Sequence, residues 1–250
     1  MDSVNVLGVH VTRLTKDHLD EFIESCIRKG GKHVVTYVNV HALNIGKRDT
    51  LFRDFLNRSA VAYCDGEGVR LGARLLGKEL PPRIVLTYWI WDLCSSCAQN
   101  GFSVFFLSGT QETIDEAVCN LRRKFPTLRV AGSHHGYFNK FGEENEEVLA
   151  AISRASPDVL FVGFGMPAQE HWIDRNLDRL NAKVILTSGS MIEYVAGHRR
   201  VAPLWMANNG MEWLFRLLQE PTRLWKRYVI GNPLFIARVL KQLLREGRQR

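Results

Sequence analysis

The chain has 250 residues, 46% of them hydrophobic and 24% charged; this suffices for a sizeable core and excludes a disordered chain. The net charge of +7 is uneven: residues 197–250 carry eleven Lys and Arg against three Glu, and the remainder is close to neutral. No charged-then-apolar leader and no apolar run near ~18 residues occurs, so neither a secreted nor a membrane-spanning chain is expected.

Residues 4–11 read as a strand or the start of a hairpin, and 15–28 as an amphipathic helix with Thr15 as N-cap. A strand over 33–38 ends in a polar group formed by Asn39, His41 and Asn44. A short strand over 60–64 exits into Asp65-Gly66-Glu67-Gly68. A helix over 70–76, a proline-stiffened loop over 80–83 and a helix over 89–99 follow. The next strand, 102–107, runs into Ser108-Gly109-Thr110 and a helix over 111–125. Then come a strand over 128–132, a loop over 134–138 and a helix over 143–155. A strand over 159–162, a helix from 168 towards 180 and a strand over 183–187 complete the alternation, with Ser188-Gly189-Ser190 behind it. Such spacing implies an α/β, Rossmann-like and largely parallel sheet with helices on both faces. The expected division is a catalytic domain at 1–196 and a basic helical appendage at 197–250. In open parallel sheets ligands bind beyond the carboxyl ends of the strands. Here those ends carry Asn39, Asp65, Ser108, residues 163–169 and residues 188–190.

The five cysteines are scattered, which suits a reducing cytoplasm; Cys94 and Cys97 form a lone Cys-x-x-Cys within a helix and read as buried thiols. The stretch 157–172 organises the rest. Its apolar strand ends in Gly163 and Gly165, which let the backbone turn and approach a ligand closely. Pro167 fits the first helical position, and a helix start facing a turn makes an anion site. Gln169 and Glu170, in the first helical turn, are expected to face that mouth. Gly163, Gly165 and Ala168 also match a dinucleotide fingerprint, but no acidic residue stands near 187 to hold a ribose. A nicotinamide enzyme is therefore the runner-up, and a nucleic-acid binder using the basic tail is the third reading; no nucleic-acid module accompanies the charge.

Several blocks carry a family resemblance: Thr36-Tyr37-Val38-Asn39, Asp65-Gly66-Glu67-Gly68, Gly136-Tyr137-Phe138, the run 157–170, and the segments 212–216 and 220–228. In this order, over nearly the whole chain, they resemble the WecG/TagA/CpsF family of bacterial glycosyltransferases. The resemblance implies inverting transfer of a sugar from a UDP-sugar to a polyprenyl-diphosphate-linked sugar at the inner face of the cell membrane. It implies roles as well. Asp65 would be the catalytic base, with Thr36 and Asn39 beside it, Arg83 near the leaving diphosphate and Gln169 on the acceptor or sugar. Gly136 and Tyr137 would line the uridine end, and Asn39, Gly163, Gly165 and Glu193 would also contact the donor nucleotide. Arg216, Arg223 and Arg227 would close over the site from the tail. Glu193 stands where the family tends to have Asp, and residues 84–89 lack the usual carboxylate, so the donor is expected to differ from that of better-known members.

The residue chemistry points the same way. A carboxylate at a strand exit between glycines has the access a general base needs, although Asp65 also reads as a helix N-cap. No Asp-x-Asp occurs, so arginines and a helix N-terminus are expected to meet the leaving group without a metal cofactor. His134, His135 and His171 lack partners at ligand spacing. In the tail, Ile236, Val239, Leu240, Leu243 and Leu244 share one helical face, while Arg238, Lys241, Arg245 and Arg248 share another. That pattern, with Trp205, Trp213 and Trp225 upstream, predicts peripheral attachment to an anionic membrane surface. A subunit contact giving a homo-oligomer uses the same face.

Overall fold

The computed structural model describes residues 1–247, so Arg248 lies outside the described residues. A hairpin, β1 (Ser3–Val6) and β2 (Val9–Thr12), opens the chain. After α1 (Lys16–Lys29), capped by the Thr15 side chain on His18 N–H, the chain enters the main sheet at β3 (His33–Val38). Two short helices, α2 (Val40–Gly46) and α3 (Thr50–Arg58), lead to β4 (Val61–Cys64) and α4 (Glu67–Leu75). The sequence reading left residues 40–58 without regular structure. Their helices are signalled instead by the N-caps Asn39 and Asp49, whose side chains accept from Ala42 N–H and Phe52 N–H.

Next come α5 (Leu86–Asn100), β5 (Ser103–Ser108), α6 (Gln111–Lys124) and β6 (Arg129–His134). The sheet is completed by α7 (Glu143–Ala155), β7 (Val159–Gly163), α8 (Ala168–Asn176) with a 3-10 turn behind it, and β8 (Val184–Thr187). The six strands are all parallel, in the order β4-β3-β8-β7-β5-β6. This is not the strand order of the dinucleotide-binding folds, which removes the structural basis of the nicotinamide reading.

Strand alternation sorts the core into two layers. Leu160 and Val162 of β7 pack with the hairpin, α3, α8 and the tail, whereas Val159 and Phe161 pack with α1, α5 and α6. Phe105 and Leu107 against Val104 and Phe106 on β5 repeat the pattern. With both faces apolar, these strands are hydrophobic throughout. Phe106 and Phe161 stack with centroids 5.0 Å apart, and truncating either to Ala should cost about 3–5 kcal/mol. Cys94 and Cys97 are buried in the second layer as free thiols, pushed up by burial.

The tail begins after α9 (Met191–Ala196) and consists of α10 (Leu204–Asn208), α11 (Glu212–Gln219), α12 (Pro221–Trp225), a π-helical stretch and α13 (Gly231–Gly247). Its apolar face is divided. Phe235 and Val239 are buried in the first core layer, and a Cβ on Gly72 of α4 would stand 2.5 Å from the Phe235 ring. Leu240, Leu243 and Leu244 stay exposed. Arg238 does not join the outer basic face; it turns inward and donates to the Asn44 carbonyl and side-chain oxygens.

Candidate active site

Strand order brings the polar exits into one row. At the end of β3, extended backbone at Asn39 lets its Oδ1 cap α2, while Nδ2 reaches Asp65 Oδ2 at 3.4 Å. Asp65 follows β4 and stays in register because its N–H donates to Val38 O. It caps no helix: Gly66 occupies the N-cap of α4, without any side-chain cap bond. The carboxylate is left for the cavity. Burial and the charge of Glu212 push its pKa up to about 7, against the pull of Arg216, Asn39 and Arg83. A carboxylate poised near neutrality at a cleft is suited to proton transfer.

Across the row, the turn after β7 is tightly built. A Cβ on Gly163 would stand 2.3 Å from both Gly189 O and Ser108 Oγ, so no side chain fits there; Gly165 takes φ +82°. Pro167 sits at the N-cap of α8, one position before the first helical residue. Gln169 and Glu170 do not face the mouth, as the sequence suggested. Both are fully buried beneath it. Gln169 Oε1 accepts from Gly165 N–H (3.3 Å) and Gly189 N–H (3.0 Å), and its Nε2 donates to Glu170 Oε1. Gln169 is thus a brace joining two turns, and it occupies one of the donors the anion site was expected to offer. Burial pushes Glu170 up to about 7. Thr36 is likewise buried, accepting from Thr187 Oγ1 at 3.1 Å, and lines neither cavity described below.

Above this floor lies a cleft of about 920 Å³. Asn39, Asp65, Gly136, Tyr137, Gly163, Gly165, Glu193, Arg216, Arg223 and Arg227 all line it. Eight Arg or Lys side chains stand on its walls against three carboxylates, a strong bias towards an anionic ligand. A second cavity, about 640 Å³, runs between α4 and the tail past Arg83, Leu71, Trp213 and Ile236. Asn39, His41, Asp65, Glu212, Arg216 and Arg227 line both, so Asp65 stands where the two meet. Burial opposes the charge of Arg216, but Tyr228, Tyr194, Asp65 and Glu212 outweigh it and hold the guanidinium firmly protonated. Arg83 lines only the smaller cavity, is largely buried, and pairs with Glu212 at 2.5 Å.

Arg48, Lys140 and Glu212 on the walls escaped the sequence reading as site candidates, and His41 entered it only as part of the polar group after residue 38. His41 and Arg48 follow β3, where no helix was expected; burial and Arg227 lower His41 to about 4, leaving a neutral imidazole. Lys140 donates to Gly136 O and Phe138 O, both at 2.7 Å, and so pins the loop that presents Tyr137. Burial lowers it to about 8. Glu212 begins one of the quoted blocks, but nothing local distinguishes it from an ordinary first-turn acid. Among the described residues no group of three or more His, Cys, Asp and Glu could hold a metal ion.

Comparison with known proteins agrees with this geometry. The profile of the glycosyl transferase WecG/TagA/CpsF family matches residues 4–249. An N-acetylglucosaminyldiphosphoundecaprenol N-acetyl-beta-D-mannosaminyltransferase of Staphylococcus aureus (strain MW2) is 28% identical over 245 residues, covering 95% of this chain and 92% of its own. Its counterpart in strain MRSA252 is 29% identical over the same lengths. With a family match spanning almost every residue, and with the motif blocks gathered around one cleft, the chain belongs to the WecG/TagA/CpsF family and is a glycosyltransferase.

Proposed function

We propose that the protein transfers a sugar from a UDP-sugar to a polyprenyl-diphosphate-linked sugar, with inversion, in the assembly of a cell-surface polysaccharide or teichoic acid linkage. The observation that carries this reading is the position of Asp65 at the junction of two cavities. The larger, ringed by cations and reaching the Gly136-Tyr137 loop, suits a nucleoside diphosphate sugar. The smaller offers Leu71, Trp213 and Ile236 beside Arg70 and Arg74, a surface for a diphosphate carrying an apolar chain. The names of the Staphylococcus aureus relatives specify a diphosphoundecaprenol acceptor bearing N-acetylglucosamine.

In the proposed step Asp65 takes the proton from the acceptor hydroxyl as its oxygen bonds to the anomeric carbon. The bond from that carbon to the diphosphate breaks on the opposite face, and UDP leaves. Arg216, Arg223 and Arg227 meet the growing phosphate charge, as preorganised cations do in a site shielded from water. The chain works at the inner face of the cell membrane, attached through the exposed apolar and basic surface of the tail. No helix of the described residues is long and apolar enough to cross a membrane. The test is a panel of radiolabelled UDP-N-acetylmannosamine, its uronic acid and UDP-glucose, each offered with a lipid-diphosphate N-acetylglucosamine acceptor. Transfer from one donor with inverted anomeric configuration is expected. Absence of transfer from the whole panel, together with no binding of UDP in calorimetry, would reject the reading.

A further inference from the structure

Arg83 is engaged by protein on three sides. Its Nη1 donates to Glu212 Oε2 at 2.5 Å, its Nη2 to Ala207 O at 3.0 Å, and its Nε lies 3.6 Å from Glu67 Oε1. Two of these partners belong to the tail, one on α10 and one at the start of α11. The paired side chains are only 13% and 15% exposed. A guanidinium recognises a diphosphate through its fork of donors, and here that fork is directed at the tail. One turn beyond Glu212, on the same face of α11, Arg216 lines both cavities with Asp65.

We propose that the Arg83–Glu212 pair is the latch that seats the tail over the cleft, and that Glu212 is a positioning residue acting on transfer through Arg83 and Asp65 without touching substrate. The proposal rests on Asp65 being the base. A partly buried pair of this kind is costly to break from one side, because the remaining charge is left uncompensated. Removing either partner therefore frees the same element, and the two residues should behave as a unit.

The latch also has an electrostatic consequence. Asp65 is faced by Tyr37 of β3 and by Asn39 just after it, and by Tyr63 and Cys64 from its own strand, while Glu67 and Arg70 of α4 line the smaller cavity with it. Arg83 faces it from the loop before α5, and Glu212 and Arg216 from α11. Within this set Glu212 raises the proton affinity of Asp65, whereas Arg216 and Arg83 lower it. Deleting the Glu212 charge must therefore move the Asp65 titration down, and the acid limb of the rate profile with it.

The test uses the full-length enzyme with the isosteric Glu212→Gln, with Glu212→Ala, Arg83→Ala and the Arg83→Ala/Glu212→Ala double variant. Turnover, KM for both substrates, UDP affinity by calorimetry and the pH profile are measured, with Asp65→Asn alongside. Each single variant is expected to lose roughly 10- to 100-fold in kcat, a fraction of what a well-placed base contributes, with any loss of UDP affinity the same in Arg83→Ala and Glu212→Ala, because both free the same tail arginines. The double variant should lose no more than about the worse single one, the signature of coupled residues. Glu212→Gln should shift the acid limb to lower pH, and Glu212→Asp should recover part of the turnover. Wild-type or raised turnover in Glu212→Gln overturns the proposal. So do losses that multiply in the double variant, or a drop in UDP affinity in Arg83→Ala that Glu212→Ala does not share, because Arg83 would then act on the diphosphate directly. Normal turnover in Asp65→Asn would remove the base assignment instead, and the coupling measurement would still judge the latch.

Discussion

The floor and the roof of the cleft are made of different materials. The floor is sheet: Asn39, Asp65, Gly163 and Ser188 stand at the ends of adjacent parallel strands, held by Gln169 and by backbone hydrogen bonds. The roof is tail: Arg216, Arg223, Lys226 and Arg227 lie on short helices, with Trp213, Trp225 and Leu218 exposed on the same segment. The floor supplies position and one tuned carboxylate, whereas the roof supplies positive charge. Rigid strands suit atoms that must be placed within a few tenths of an ångström. A docked helical segment suits a surface that, on the proposed reading, also meets a lipid.

The largest effect should come from the floor. Asp65→Asn is expected to lose on the order of 10²–10⁴ in turnover while keeping UDP affinity, because the proposed base would meet the acceptor and not the nucleotide. In the native enzyme, activity should rise with pH through about 7 as Asp65 loses its proton. The stability effect has the opposite sense. A carboxyl raised in the folded state holds a proton that the unfolded chain has already released, so folding is weakened as pH climbs from about 4 to 7 and remains so above. At pH 8 Asp65→Asn should therefore melt higher than the native chain while catalysing far less. A lower melting temperature, or normal turnover, would return Asp65 to a structural role.

A second variant tests whether the floor is as rigid as its packing implies. Gly163→Ala places a methyl group against Gly189 O and Ser108 Oγ, each 2.3 Å from the ideal Cβ position. Overpacking of this kind costs about 1–3 kcal/mol, read in denaturant titration, and should weaken UDP binding by moving the two turns apart. Unchanged stability and affinity would mean that the row of strand exits can yield.

The same contrast explains what the sequence disclosed. Strands with both faces apolar, such as 159–162, and exits marked by Asp65-Gly66 or Ser188-Gly189 are local signals, and they located the sheet and its polar edge. Gln169 was misplaced because a side chain in a first helical turn can point into a mouth or beneath it, and only the neighbouring turn at Gly189 decides. Thr36 suffered the same ambiguity: strand periodicity puts it on one face without saying that Thr187 covers it. The tail was harder. Its amphipathic pattern gave one apolar stripe, but the division between docked Phe235 and Val239 and exposed Leu240, Leu243 and Leu244 depends on Gly72, far away in sequence.

That division supplies a gentler probe of the roof. Deleting the chain from Phe235 onwards would strip the core as well as the surface, so Leu240, Leu243 and Leu244 should be replaced together by Gln, leaving Phe235 and Val239 in place. Binding to phosphatidylglycerol vesicles is expected to weaken by about tenfold or more, since three exposed leucines that enter a lipid interface contribute at least ~1.4 kcal/mol together. Transfer to a short-chain, water-soluble acceptor should be unaffected. Native binding should also fall with added salt, because headgroup attraction is screened over roughly 8–10 Å. If the triple variant sediments with vesicles as the native chain does, the outer face of α13 serves another purpose.

The smallest expected effect is none at all, and it concerns metal. On the proposed reading, a departing UDP would gather negative charge on its β-phosphate, which must be met within a few ångströms. Enzymes that use Mg²⁺ hold it between one or two carboxylates and the substrate phosphates. In the larger cavity the three carboxylates are Asp65, Glu193 and Glu212, and Glu212 is already paired with Arg83. A divalent ion on Asp65 would lower its proton affinity and undo the tuning towards 7 that burial provides. The tail arginines offer the same neutralisation without that penalty, and Arg216 is held charged by the groups around it. Transfer should therefore persist in excess EDTA at the rate seen with added Mg²⁺, whereas Arg216→Ala should be slow in both and rescued by neither Mg²⁺ nor Mn²⁺. Loss of native activity in EDTA with recovery on adding a divalent ion would assign the leaving-group charge to a metal and leave the roof with the membrane alone.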